Sequence, residues 1–133
     1  MKNKINREVI YKGFSLVEVL AAVAIIGIIT FLAIPNIVAV KQDSETNMAI
    51  SRAEALNIAM VSYVQANGHD NASDYWGKEI NAQGRYALLS SYLAFAPSNL
   101  FEYMPSGYQI KLPGDLRRIS KVHLTGPYGE IYY

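Results

Sequence analysis

Cysteine is absent from this 133-residue chain. Disulfides are thereby excluded, and so is any Cys-based zinc or redox centre. Histidine occurs only at His69 and His123. Neither a G-x-S-x-G elbow nor a phosphate-binding loop is present. No nucleophile stands with a base in a recognisable pattern, so the sequence points away from an enzyme and offers no catalytic residues. Charge is sparse and almost balanced, with 12 Lys and Arg against 11 Asp and Glu. Such a chain has no electrostatic basis for nucleic-acid binding. Arg117, Arg118 and Lys121 read as a solvated strand edge. His69, Asp70 and Asp74 fit no ligand spacing, so neither a metal nor another cofactor is expected.

What the chain does have is concentrated near its start. Apolar residues make up 51% of it, and the largest block runs from Phe14 to Val40. Within that block only Ser15, Glu18, Thr30 and Asn36 are polar, and only Glu18 is charged. At about 1.5 Å per residue, a helix of this length crosses a bilayer core of roughly 30 Å. Gly27 and Pro35 weaken it. Pro35 has no N–H and crowds the preceding turn, which predicts a kink or a local loss of helix just before it. Ahead of the block, Lys2, Lys4, Arg7 and Lys12 against Glu8 give a leader of net charge +3. By the positive-inside rule this leader stays in the cytoplasm. A lone carboxylate at the head of a membrane-length apolar run is costly, which marks Glu18 as functional.

From Lys41 to Asn67 the pattern becomes amphipathic. Ile50, Ala53, Leu56, Met60 and Val64 form an apolar stripe, widened by Ala49, Ile58, Val61 and Tyr63. Asn67-Gly68 is a helix stop. The stretch from His69 to Arg85 is polar and reads as a loop, with Tyr75-Trp76 as a buried pair. Tyr86 to Phe95 reads as a short helix or helical turn. Strands are expected at Gly107 to Leu112, Arg118 to Thr125 and Gly129 to Tyr133, with turns at Pro113-Gly114-Asp115 and Gly126-Pro127. The predicted fold is therefore α+β: a long N-terminal helical spine bearing a small antiparallel β-sheet head. Four parts follow: a leader at 1–13, an apolar spine half at 14–40, an amphipathic spine half at 41–67 and a head at 68–133. A head of this size needs docking on the spine to complete a core.

The segment from Lys12 to about Val40, with GFSLVEVL at its start, resembles the precursors of type IV pilins and type II secretion pseudopilins. The resemblance implies a definite life history. A prepilin peptidase cuts between Gly13 and Phe14, the leader is removed, and the new amino group of Phe14 is methylated. Glu18 serves assembly, and Gly27 and Pro35 mark a helix break on assembly. The mature chain waits in the inner membrane as a single-pass protein with its head outside the cytoplasm. An inner-membrane platform protein and an assembly ATPase then draw it, with other copies and other pilins or pseudopilins, into a periplasmic or cell-surface filament. The calcium loop and C-terminal disulfide found in parts of the family have no counterpart, since Gly126 to Tyr133 holds Glu130 as its one acid. The alternative is a membrane-anchored extracytoplasmic binding domain that does not polymerise. A secretory signal peptide is a poorer account, because no A-x-A cut follows the apolar run.

Overall fold

Residues 12–133 are described by a computed structural model. The remainder of the leader, with Lys2, Lys4, Arg7 and Glu8, lies outside the described residues. The chain divides into two compact units that meet at Val40 and Lys41.

Helix α1 is Leu16–Asn67. In the N-terminal unit its side chains are almost uniformly exposed, from Phe14 and Leu16 to Ile37 and Val40. It is long and apolar enough to cross a membrane by length and composition. Thr30 turns its hydroxyl back onto the Ile26 carbonyl at 2.8 Å, so this polar side chain asks nothing of its surroundings. The local loss of helix expected just before Pro35 is not found: α1 continues through both Gly27 and Pro35. Proline deprives the Phe31 carbonyl of its usual donor, but the bonds of the flanking turns keep the segment helical.

In the second unit α1 supplies one wall of the core. Ala49, Ala53, Leu56, Ala59, Met60, Tyr63 and Val64 are buried. The alanines let neighbouring elements approach the helix closely. The expected stripe of Ile50, Ala53, Leu56, Met60 and Val64 faces the core, but of the residues expected to widen it Ile58 (66% exposed) and Val61 lie outside, and Ala59 is buried instead. Gly68, at φ 77° and ψ 151°, takes an extended positive-φ conformation open to glycine, and α1 ends there.

The stretch expected as a loop is largely helical. Helix α2 is His69–Lys78 and helix α3 is Ala82–Leu89. Only Ala72, Ser73 and Trp76 of α2 face inward, a stripe too narrow to stand out in a polar sequence. Asp70 in the first turn and Lys78 in the last suit the helix dipole. Asn81 caps α3 by accepting from the Gly84 N–H at 2.8 Å. Trp76 is fully buried, but Tyr75 is half exposed, so the expected pair is split. After a short 3-10 turn at Ser90–Tyr92 comes helix α4, Leu100–Tyr103.

The sheet has three antiparallel strands in the order β1 (Gln109–Lys111), β2 (His123–Gly126), β3 (Gly129–Ile131). Ile110, Leu124 and Ile131 lie in register across it. Leu124 is buried and the other two pack against the core. Each strand is shorter than expected, and most of 112–122 connects β1 to β2 without pairing.

Polar clasps tie these elements to α1. Arg52 donates to the Tyr103 carbonyl, and the Tyr103 hydroxyl donates to the Arg52 carbonyl at 3.1 Å. The same guanidinium lies 5.1 Å over the Phe95 ring. Burial is the main cause that pushes the Tyr103 phenol up to about 12, which keeps it a neutral donor at neutral pH. Asn57 accepts from the Val122 N–H at 2.9 Å and donates to the Tyr133 hydroxyl at 3.3 Å. Lys121 Nζ reaches Glu54 Oε1 at 2.9 Å and the Tyr133 carbonyl at 3.0 Å. Its hydrogen bond, with a second from Asn57, holds the Glu54 carboxyl below its ordinary range.

Candidate assembly site at the start of the helix

Gly13, Phe14 and Glu18 stand together at the head of α1. Ser15 caps the helix. Its hydroxyl accepts from the Glu18 N–H at 3.2 Å, and Glu18 Oε2 accepts from the Ser15 N–H at 2.8 Å. These reciprocal bonds form a capping box, worth about 0.5–2 kcal/mol to the helix start. Ser15 was missed as a site residue. The signal was present in the sequence, since Ser-Leu-Val-Glu has the S-x-x-E spacing that a capping box requires.

The cap uses one oxygen of the carboxylate. Among the described residues Glu18 Oε1 accepts no hydrogen bond, so half of the anion remains open to a cation. Phe14, one residue outside the cap, is 89% exposed. Gly13 is equally open: a Cβ built there meets nothing within 4 Å. Packing among the described residues does not require glycine at that position. The same is true of Gly27. Gly27 and Pro35 are separated from the cap by the turns between and take no part in it.

The apolar surface around the cap is continuous. Val17 is 74% exposed, and Leu20, Val23, Ile26 and Phe31 are similarly bare. Such a helix requires lipid or other helices around it.

Elsewhere the expected weak sites resolve into structural contacts. Lys121 is engaged with Glu54, so it does not form a free basic group with Arg117 and Arg118. His123 Nδ1 lies 3.0 Å from Glu130 Oε1, and Tyr132 donates to Glu130 Oε2 at 3.0 Å. These bonds, His123 first, hold the Glu130 carboxyl below its ordinary range. Among the described residues no three His, Asp or Glu side chains converge in a metal-holding group.

Residues 11–34 match the family described as the prokaryotic N-terminal methylation motif. The chain is also 28% identical over 104 residues to the type II secretion system core protein G of Escherichia coli (strain K12). That alignment takes in 78% of this chain and 65% of the relative, a little under two thirds of its length. These likenesses support a pilin or pseudopilin family for the chain. The α+β architecture of a long N-terminal helix and a small antiparallel sheet agrees with a pilin-like fold. No solved structure matches it significantly. The motif and the exposed apolar N-terminal helix fit a pilin-type chain.

Proposed function

We propose that this pilin-like chain is a subunit of a type II secretion pseudopilus or a type IV pilus-like filament. Cleavage between Gly13 and Phe14 by prepilin peptidase creates a new amine, which is methylated. Residues 14–40 hold the chain in the inner membrane with residues 68–133 outside the cytoplasm. An assembly ATPase and a platform protein then move it into the polymer. The relative's role in type II secretion favours the pseudopilus.

One observation carries this reading: a half-satisfied carboxylate, Glu18, stands four residues from Phe14 on a helix start that the methylation motif overlies. Once the leader is gone, the Phe14 ammonium of a neighbouring copy is the fitting partner for Glu18 Oε1. At about 4 Å such a pair is worth on the order of 4 kcal/mol at an effective dielectric of about 20, and near 1 kcal/mol in open water. Desolvation offsets part of the gain. The pair therefore sets the stagger between copies. Cohesion comes from Leu16, Val17, Leu20, Val23, Ile25, Ile26, Ile28, Ile29 and Phe31, whose burial contributes about 25 cal/mol per Å² outside the membrane. Loosening of α1 between Gly27 and Pro35 during assembly lets the subunit extend.

Gly13→Val tests the cleavage step. A Cβ at this position meets nothing within 4 Å among the described residues, so the substitution is expected to leave folding intact and to obstruct only the approach of the peptidase. The expected result, in cells making prepilin peptidase, is a full-length band on an immunoblot where the parent gives a shortened one. Normal shortening of the variant would count against Gly13 as the cleavage position.

A further inference from the structure

Both edges of the head's sheet are open. β1 pairs only with β2, and so does β3. No further backbone hydrogen bond reaches Gln109–Lys111 or Gly129–Ile131 among the described residues. Open edges are sites where another chain can add, unless something blocks them. Here the two edges differ in ways that fit one another. At the β1 edge stands Lys111, exposed and outside every ion pair among the described residues. Beside β1 lies a groove of about 440 Å³, bounded by Leu100, Phe101, Met104, Tyr108, Gln109 and Ile110 and without a charged side chain in its lining. Phe101 is 82% exposed there. The β3 edge carries Glu130, a solvent-accessible carboxylate that also contacts His123 and Tyr132, flanked by Tyr128 and Tyr132, each 86% exposed.

We propose that heads of neighbouring copies join edge to edge, β3 of one copy adding alongside β1 of the next. The inference rests on the filament reading above. Because β1 and β3 are each antiparallel to β2, they run in the same direction. A second copy displaced along the sheet, without being turned over, therefore presents its β3 parallel to β1. A register that sets Glu130 beside Lys111 brings Tyr128 beside Gln109, at the uncharged groove. Charge also selects this pairing over the symmetric ones. Two β1 edges would bring Lys111 against Lys111, and two β3 edges Glu130 against Glu130, which are destabilising arrangements. The favoured contact is heterologous, and a heterologous contact that does not close on itself propagates as a polymer.

The absence of native cysteine makes the test simple. Lys111→Cys and Glu130→Cys are introduced singly and together in the full chain, and filaments formed in cells are exposed to a mild oxidant. Neighbouring strands place Cα atoms within the 4.4–6.8 Å that a disulfide spans. The double variant is expected to give a ladder of covalent dimers, trimers and higher species. The single variants should give none alone and dimers only when co-expressed. Intact filaments of the double variant without a ladder would overturn the proposal, as would dimers from either single variant alone. Charge reversal adds a second readout: Lys111→Glu should lower filament yield severalfold, and adding Glu130→Lys should restore it. Failure of that rescue would also count against the pairing. Filaments of the parent chain are scored first. Their absence would remove the underlying filament reading, and with it this contact, whereas filaments without a ladder would remove only the contact.

Discussion

Glu18→Ala should yield a chain that is cut and methylated but scarcely assembles. The charge pair proposed between Glu18 and the Phe14 amine of a neighbour is worth on the order of 4 kcal/mol before desolvation. It recurs at every subunit, so its loss compounds along a filament. Two further variants separate that role from the helix cap, which Glu18 also completes. Glu18→Gln keeps a side chain that can cap the helix but removes the charge. It should fail to assemble almost as completely as Glu18→Ala. Ser15→Ala removes the hydroxyl half of the cap and leaves the carboxylate, so its cost is limited to about 0.5–2 kcal/mol of helix stability. It should still form filaments. The measurement is the amount of sheared filament, checked by electron microscopy, against the amount of processed subunit in the membrane. Assembly by Glu18→Gln, with failure by Ser15→Ala, would assign the site to capping alone.

The second large effect is expected in the head. Trp76→Ala should destabilise it by about 3–5 kcal/mol. For a unit of this size that lowers the melting temperature by on the order of 15–30 °C. Trp76 is fully buried. Its Nε1 donates to the Pro113 carbonyl at 2.9 Å, where Arg85 also donates at 3.2 Å. The Arg85 guanidinium sits 5.8 Å from its ring centroid, and the Tyr63 ring centroid is 6.4 Å away. One side chain thus joins α1, α2, α3 and the β1–β2 connection. Truncation leaves a cavity among all four. Trp76→Phe keeps most of the apolar volume and loses only the indole donor, so it should cost about 1–2 kcal/mol. Thermal unfolding of the detergent-solubilised chain, followed by circular dichroism, reads both. Near-equal melting of Trp76→Ala and the parent would show that the core is held elsewhere.

The spine was legible in the sequence because its signals are long. An apolar run interrupted by one acid, followed by an amphipathic stretch and Asn67-Gly68, leaves little choice of structure. The shift from Ile58 to Ala59 as a core residue is a matter of which neighbours pack there, and that is decided by elements distant in sequence. Helix α2 was hidden because only Ala72, Ser73 and Trp76 face inward; a narrow stripe in a polar sequence has the same pattern as a loop. The sheet's order and register were not readable beyond the alternation of its strands. The clasps from Arg52, Asn57 and Lys121 were invisible for a related reason. Arg52 and Asn57 reach partners some fifty to seventy-six residues away, and no local pattern announces such a pairing. At the proposed assembly site the opposite holds. Gly13, Phe14 and Glu18 are proposed from spacing and resemblance, and Ser15 carried a local signal that passed unnoticed beside the more conspicuous acid. Pro35 marks the boundary of local reasoning, since the turns around it keep the helix going despite one missing donor.

The central claim is that this chain is a processed subunit whose new amine serves as the counter-ion of Glu18. Mass analysis of the N-terminal peptide, from protein purified out of cells that make prepilin peptidase, tests it most directly. The expected peptide begins at Phe14 and carries one added methyl group. A peptide that still begins at Met1, with residues 1–13 attached, would contradict it.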